Sequence, residues 1–149
     1  MLNEDYIFLD VKVTNKNQLL GFIADKAHEY NICDNREGLL EDLIKREAEF
    51  TTGLQDGFAI PHARSNHVKK AAILYLRTDE AIEWGTMDDK KVNYLFSLLV
   101  PEQNEGNLHL QMISKLATCL LEDEFKNTVK SSTNKSALKD YILKNMEVD

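Results

Sequence analysis

The chain has 149 residues, 43% of them hydrophobic and 29% charged, with a formal net charge of −7. That size and balance belong to one globular domain able to bury a substantial core. The acidic balance, with adjacent cations only at Lys69-Lys70 and Lys90-Lys91, argues against nucleic acid as the main partner, because a phosphate backbone demands a basic patch.

The first residues, Met1-Leu2-Asn3-Glu4-Asp5, lack the basic and apolar regions of a signal peptide. The longest apolar run, Val92 to Val100, is broken by Asn93 and Ser97 and falls far short of the ~20 residues of a spanning helix. Cys33 and Cys119 stand far apart with no CxxC pattern, as expected of reduced thiols in the cytosol. A cytoplasmic chain is the expectation.

Tyr6 to Val13 alternates imperfectly and predicts a strand. Thr14 or Asn15 can cap a helix from Lys16 to Tyr30, with Leu19, Ile23, Ala27 and Tyr30 on one face and His28 off it, toward solvent. Asp34 and Glu37 read as a capping box. The helix they open carries Leu40, Leu43, Ile44 and Ala48 on one face and ends at Thr51-Thr52-Gly53. Arg46 lies near its C-terminal end, where a cation complements the helix dipole.

Phe58 to Ile60 predicts a short strand, and Pro61 marks a strand end or edge because it cannot donate to a ladder. His62 then leaves the strand at a controlled exit, two residues before Arg64. An imidazole so placed can be a nucleophile, a proton shuttle or a metal ligand. Zinc is disfavoured: His67 gives an unsuitable spacing, and no thiol or carboxylate cluster supports it. His67 reads as a loop residue, and no metal or other cofactor is expected.

Ala71 to Arg77 predicts a strand, followed by a loop around Trp84 that packs at the sheet edge. Val92 to Val100 is apolar on both faces, hence central and covered on both sides, and Pro101 ends it. Turn residues Asn104 to Asn107 precede a helix from Leu108 to Glu122 with Asn107 as cap. Helices over Phe125 to Ser132 and Ser136 to Lys144 complete the chain. The expected fold is an α/β single-domain sandwich, a mixed β-sheet flanked by helices on both faces. His109 shares a helix face with Ile113, Leu116 and Leu120 but sits in the first turn, where the dipole favours anions and keeps an imidazole neutral.

The array Arg46-Glu47, Thr52-Gly53 and Gly57-Phe58-Ala59-Ile60-Pro61-His62 resembles the IIA domain of the fructose–mannitol family of the bacterial sugar phosphotransferase system. That family's pattern is Arg-Glu, a Thr/Ser-Gly turn, then Gly-Ile-Ala-Ile-Pro-His; Phe58 stands where isoleucine is commonest. The resemblance extends over residues 1–149, since the run from His109 to Leu116 matches a second active-site histidine. It implies that His62 is phosphorylated by phospho-HPr and passes the group to a cysteine of a IIB protein, with a membrane IIC taking up the sugar. Cys33 is followed by no Cys-x-x-Gly cradle of the IIB kind, so the A function alone is expected.

Phosphoryl transfer asks for positioning and charge neutralisation. Arg46 is the first expected donor to the transferred group and His109 the second; Arg64 and a hydroxyl of Thr51 or Thr52 stay open. A regulatory paralogue of the nitrogen-related branch, whose phosphorylation state controls protein partners, carries the same site. Fructose is the nearest sugar branch, with mannitol, galactitol and other polyols open.

Overall fold

The computed structural model describes residues 1–103 and 107–146. A 3-10 turn, Glu4–Tyr6, leads into β1 (Ile7–Val11), shorter than the expected strand at both ends: Tyr6 is spent in that turn, and Lys12 and Val13 lie past the strand's end. Helix α1 (Lys16–Glu29) starts at Asn15, whose side chain accepts from the Gln18 N–H at 2.8 Å, while the Gln18 side chain accepts from Thr14 N–H. Helix α2 (Arg36–Glu49) is capped by Asn35, not Asp34. Glu37 does not reach back to close a box; it pairs with Arg36.

The inward stripe of α2 is also turned from the expected one. Leu39 and Leu43 are buried, Leu40 is half-buried, and Ile44 and Ala48 face solvent. One turn beyond Leu43, the same stripe brings Arg46 inward.

Strand β2 is Phe58–Ala59, β3 is His62–Ser65, β4 is Ala72–Ile82 and β5 is Val92–Pro101. The sheet runs β1-β4-β5-β2, with β3 also on β5. β1 lies parallel to β4, β4 antiparallel to β5, and β2 and β3 parallel to β5. The register does not slip between β2 and β3: Phe58 faces Tyr94, and His62 faces Leu98. They are one edge strand interrupted at Ile60-Pro61. Pro61 brings no N–H to the ladder, yet its carbonyl still accepts from Leu98 N–H at 3.3 Å. His62 is therefore not at a strand exit, as the proline suggests; it is the first residue after a break in a strand that continues.

The outer side of this edge is covered. Ile60 N–H donates to Thr52 O at 3.0 Å, and Leu54 N–H to Phe58 O at 2.9 Å. Trp84, 4% exposed, donates its indole N–H to Thr52 Oγ1 at 3.1 Å, placing it at the edge as expected. A side chain on Gly53 would overlap the Gly85 carbonyl oxygen. Because that neighbour is backbone, Gly53→Ala is expected to cost about 1–3 kcal/mol. Urea midpoints of the two chains check this, and equal midpoints would refute the close approach.

Helix α3 (Leu108–Cys119) ends earlier than expected, and α4 (Asp123–Ser131) and α5 (Lys135–Asn145) follow. Asn107 stands at the start of α3 with φ of 55°, but its side chain makes no capping bond. The expected turn at 104–106 lies outside the described residues. Helices cover both sheet faces. Tyr75 and Phe96 pair across β4 and β5, and Tyr75 O–H donates to Val129 O of α4 at 2.6 Å. Ser65 points from β3 to the opposite face and donates to Asp42 of α2. Between these layers Leu95 to Val100 are all buried, the double burial expected of a central strand.

Candidate active site

An open cleft of about 650 Å³ lies over β3, between α2 and the first turn of α3. His62, Arg46, His109 and Arg64 all line it. The chain thus brings together residues from α2, β3 and α3 that lie far apart in sequence.

His62 is held at both ring nitrogens. Its Nδ1 lies 2.7 Å from the Ile60 carbonyl oxygen, and its Nε2 lies 3.2 Å from Arg46 Nε. A carbonyl can only accept and a guanidinium can only donate. The tautomer follows: Nδ1 carries the proton and gives it to Ile60, and Nε2 keeps a lone pair. Ile60 faces the outer side of the edge, where its N–H donates to Thr52 O and its carbonyl accepts from the ring of His62. Burial, and then the charge of Arg46, holds the ring below the usual histidine range, against the Ile60 bond that raises it. At neutral pH His62 is an uncharged imidazole with its lone pair on Nε2.

Arg46 does two jobs. Its Nη1 donates to the Phe50 carbonyl at 2.8 Å, one turn on at the end of α2, and its Nε points at His62. The capping role expected of a cation at a helix end is thus combined with a place in the cleft. Glu47 secures the next segment: its carboxylate accepts from Thr52 N–H at 2.9 Å, from Thr52 Oγ1 at 2.6 Å, and from Lys16 Nζ at 3.2 Å. Thr51 Oγ1 donates to Gly85 O at 2.6 Å. Both threonine hydroxyls left open by the sequence are therefore engaged, Thr51 by Gly85 and Thr52 by Glu47 of α2 and by Trp84.

His109 sits at the margin of the α3 core stripe. Met112, Leu116 and Cys119 are buried, while His109 and Ile113 are half-buried and turn toward the cleft. Burial first, and the Arg64 charge second, pushes His109 below its ordinary range. Its Nδ1 is enclosed and has no hydrogen-bond partner among the described residues. A neutral ring in this place has one N–H to give to an anion.

Sequence reasoning missed Asp42 and Ser65, and named Glu47 only as part of the Arg-Glu pattern, without its role in holding Thr52. Asp42 and Arg46 lie one turn apart on α2 and reach β3 in successive steps, to Ser65 and to His62. The signal was the stripe Leu39-Asp42-Leu43-Arg46, which mixes polar with apolar residues on one face. His67 lies outside the cleft and packs against Gly38. No group of three or more metal-ligating side chains occurs among the described residues. No described helix is long and apolar enough to cross a membrane. Cys33 and Cys119 are buried free thiols, each pushed up by burial.

The family model for the phosphoenolpyruvate-dependent sugar phosphotransferase system, EIIA 2, matches residues 1–145. A fructose-specific EIIA component from Haloferax volcanii is 32% identical over 143 residues, covering 96% of this chain and 92% of that protein. Three further curated relatives are far longer, and the chain spans 17%, 21% and 22% of them. Among solved structures, the nitrogen regulatory protein IIA-Ntr from Neisseria meningitidis superposes with a TM-score of 0.83 at 29% identity, over 97% of this chain and 95% of that one. The mannitol IIA in complex with phosphorylated mannitol IIB from Escherichia coli shares the fold with a TM-score of 0.77 at 19% identity, over 98% of this chain and 96% of that one.

Proposed function

Since the chain belongs to the EIIA 2 family of the phosphoenolpyruvate-dependent sugar phosphotransferase system, we propose that it is a phosphohistidine carrier, with residues 1–149 as one type 2 EIIA domain working in the cytosol. His62 takes a phosphoryl group from phospho-HPr and gives it to a cysteine of a IIB protein. A membrane IIC partner then takes up the sugar. The observation that carries this reading is the fixed His62 tautomer, with Nδ1–H on the Ile60 carbonyl and Nε2 open toward Arg46.

In the accepting step, the Nε2 lone pair forms a bond to phosphorus as the donor's P–N bond breaks, and that electron pair stays on the donor imidazole. Charge is spread over three equatorial oxygens as this happens. Arg46 donates to them from α2, and the neutral His109 donates an N–H from α3. The new N–P bond resembles the one broken, so the step runs readily in both directions. That suits a relay better than a hydrolase.

Incubation with enzyme I, HPr and phosphoenolpyruvate, followed by intact mass at neutral and acid pH, tests the reading. One acid-labile phosphoryl group is expected, and it should pass to a IIB cysteine at a rate that falls with added salt. The likeness to IIA-Ntr favours a second reading, in which phosphorylation controls a protein partner. Phosphorylation that no IIB protein discharges, but that switches binding to another protein, would replace the carrier reading with that one.

A further inference from the structure

This inference rests on the phosphocarrier reading of His62 and concerns how the transferred group is held. Three equatorial oxygens need donors, and a phosphorylated side chain carries about −1.5 to −2 charge at neutral pH. Arg46 supplies one positive charge, and one of its nitrogens is already committed to the Phe50 carbonyl. His109 supplies an N–H but no charge. The hydroxyls of Thr51 and Thr52 are bonded elsewhere. Arg46 and His109 together leave a phosphoryl group short of one cation and of donors.

Arg64 stands two residues after His62 in β3, so the two side chains leave the strand on the same face, with their Cα atoms ~7 Å apart. A fully extended arginine is long enough to cover such a gap, and the Arg64 charge already acts on the ring of His109 in the same cleft. Arg64 lines the same cleft, and its Nε donates to the Glu102 carbonyl oxygen at 2.8 Å. That bond steadies the stem and leaves both terminal nitrogens of the guanidinium. Among the described residues no carboxylate forms an ion pair with it. An arginine fastened by one carbonyl in the same cleft as a neutral imidazole is arranged for an anion that arrives later.

We propose that Arg64 is a second phosphoryl-binding arm, donating from its terminal nitrogens to the oxygens of a phosphoryl group on His62 Nε2 while Arg46 holds the group from α2. The same guanidinium would face a docking protein if its role lay there instead, so the test must work without a partner. Phosphoramidate phosphorylates histidine directly. The whole chain, Arg64→Gln and Arg64→Lys are each phosphorylated with it, and the 31P resonance is followed against pH. A nearby cation favours the dianion. Its loss in Arg64→Gln is expected to move protonation of the phosphoryl group to higher pH, and Arg64→Lys should restore most of the shift. With phospho-HPr as donor, Arg64→Gln is expected to accept roughly tenfold more slowly, less than for an enclosed donor, because Arg64 is exposed.

Coincident 31P titrations for the wild-type and Arg64→Gln chains would overturn the proposal. Slower HPr transfer with an unchanged titration would do the same and assign Arg64 to partner contact. If the wild-type chain takes up no phosphoryl group from either phosphoramidate or phospho-HPr, the phosphocarrier reading falls and this proposal falls with it.

Discussion

A His62→Ala chain is expected to accept no phosphoryl group, and the wild-type group is expected on Nε2 and never on Nδ1. The second half of this expectation is the more demanding. In a free histidine the two ring nitrogens compete, and either tautomer presents a lone pair. Here Nδ1 lies 2.7 Å from a carbonyl oxygen, a contact that exists only if Nδ1 bears the proton. Phosphorylation at Nδ1 would place a charged group against that oxygen and break the bond. Nε2, facing Arg46 at 3.2 Å, meets the opposite environment. Two-bond 1H–15N couplings in the phosphorylated chain distinguish the isomers, and a phosphoryl group on Nδ1 would refute the assignment.

The pH profile follows from the same geometry. Burial holds the folded ring below its ordinary range, so Nε2 stays unprotonated to lower pH than in a free imidazole. Acceptance from phosphoramidate should therefore fall at a lower pH than the titration of a free imidazole would give. A profile that already declines above pH 7 would contradict the burial of the ring.

The parts of the site written into contiguous residues were legible in sequence. Pro61 cannot complete a ladder, so a break beside His62 follows from covalent structure alone. The apolar run ending at Val100 reads as a doubly covered strand because it has no polar face to turn outward. His109 is legible because helix periodicity places it beside Ile113 in the first turn. What was not legible depends on distant partners. The Thr51 hydroxyl is claimed by Gly85 and the Thr52 hydroxyl by Glu47 and Trp84, and only the folded chain brings Gly85 and Trp84 there. Asp34 and Asn35 are both competent caps; the choice fell to Asn35 because it is the residue with extended backbone at the helix start. The α2 face was misread by a fraction of a turn. An apolar stripe through Leu40 and Ile44 is as periodic as one through Leu39 and Leu43, and only the second carries Arg46 to His62.

Arg46→Ala is expected to slow phosphoryl transfer on the order of 100-fold, and up to 1,000-fold, while the domain stays folded. Removing one donor to developing charge in a preorganised site costs about 2.7–4 kcal/mol in the transition state. Arg46 Nε lies 3.2 Å from His62 Nε2, the atom proposed to react. The structural loss is smaller. The bond to the Phe50 carbonyl lies at an exposed helix end, where a single hydrogen bond contributes about 1 kcal/mol. The core of α2 at Leu39 and Leu43 is untouched. Rate and stability should therefore separate, with rapid-quench transfer kinetics changing far more than the urea midpoint. The His62 titration supplies an independent sign. Because the Arg46 charge helps to hold that ring low, its removal must move the His62 value upward, so acceptance fails at a higher pH in the variant. Arg46→Lys keeps the charge but cannot reach the Phe50 carbonyl and His62 with a planar fork, so it should restore the His62 value better than it restores the rate. Wild-type transfer by Arg46→Ala, with its His62 titration unmoved, would reduce Arg46 to a helix cap.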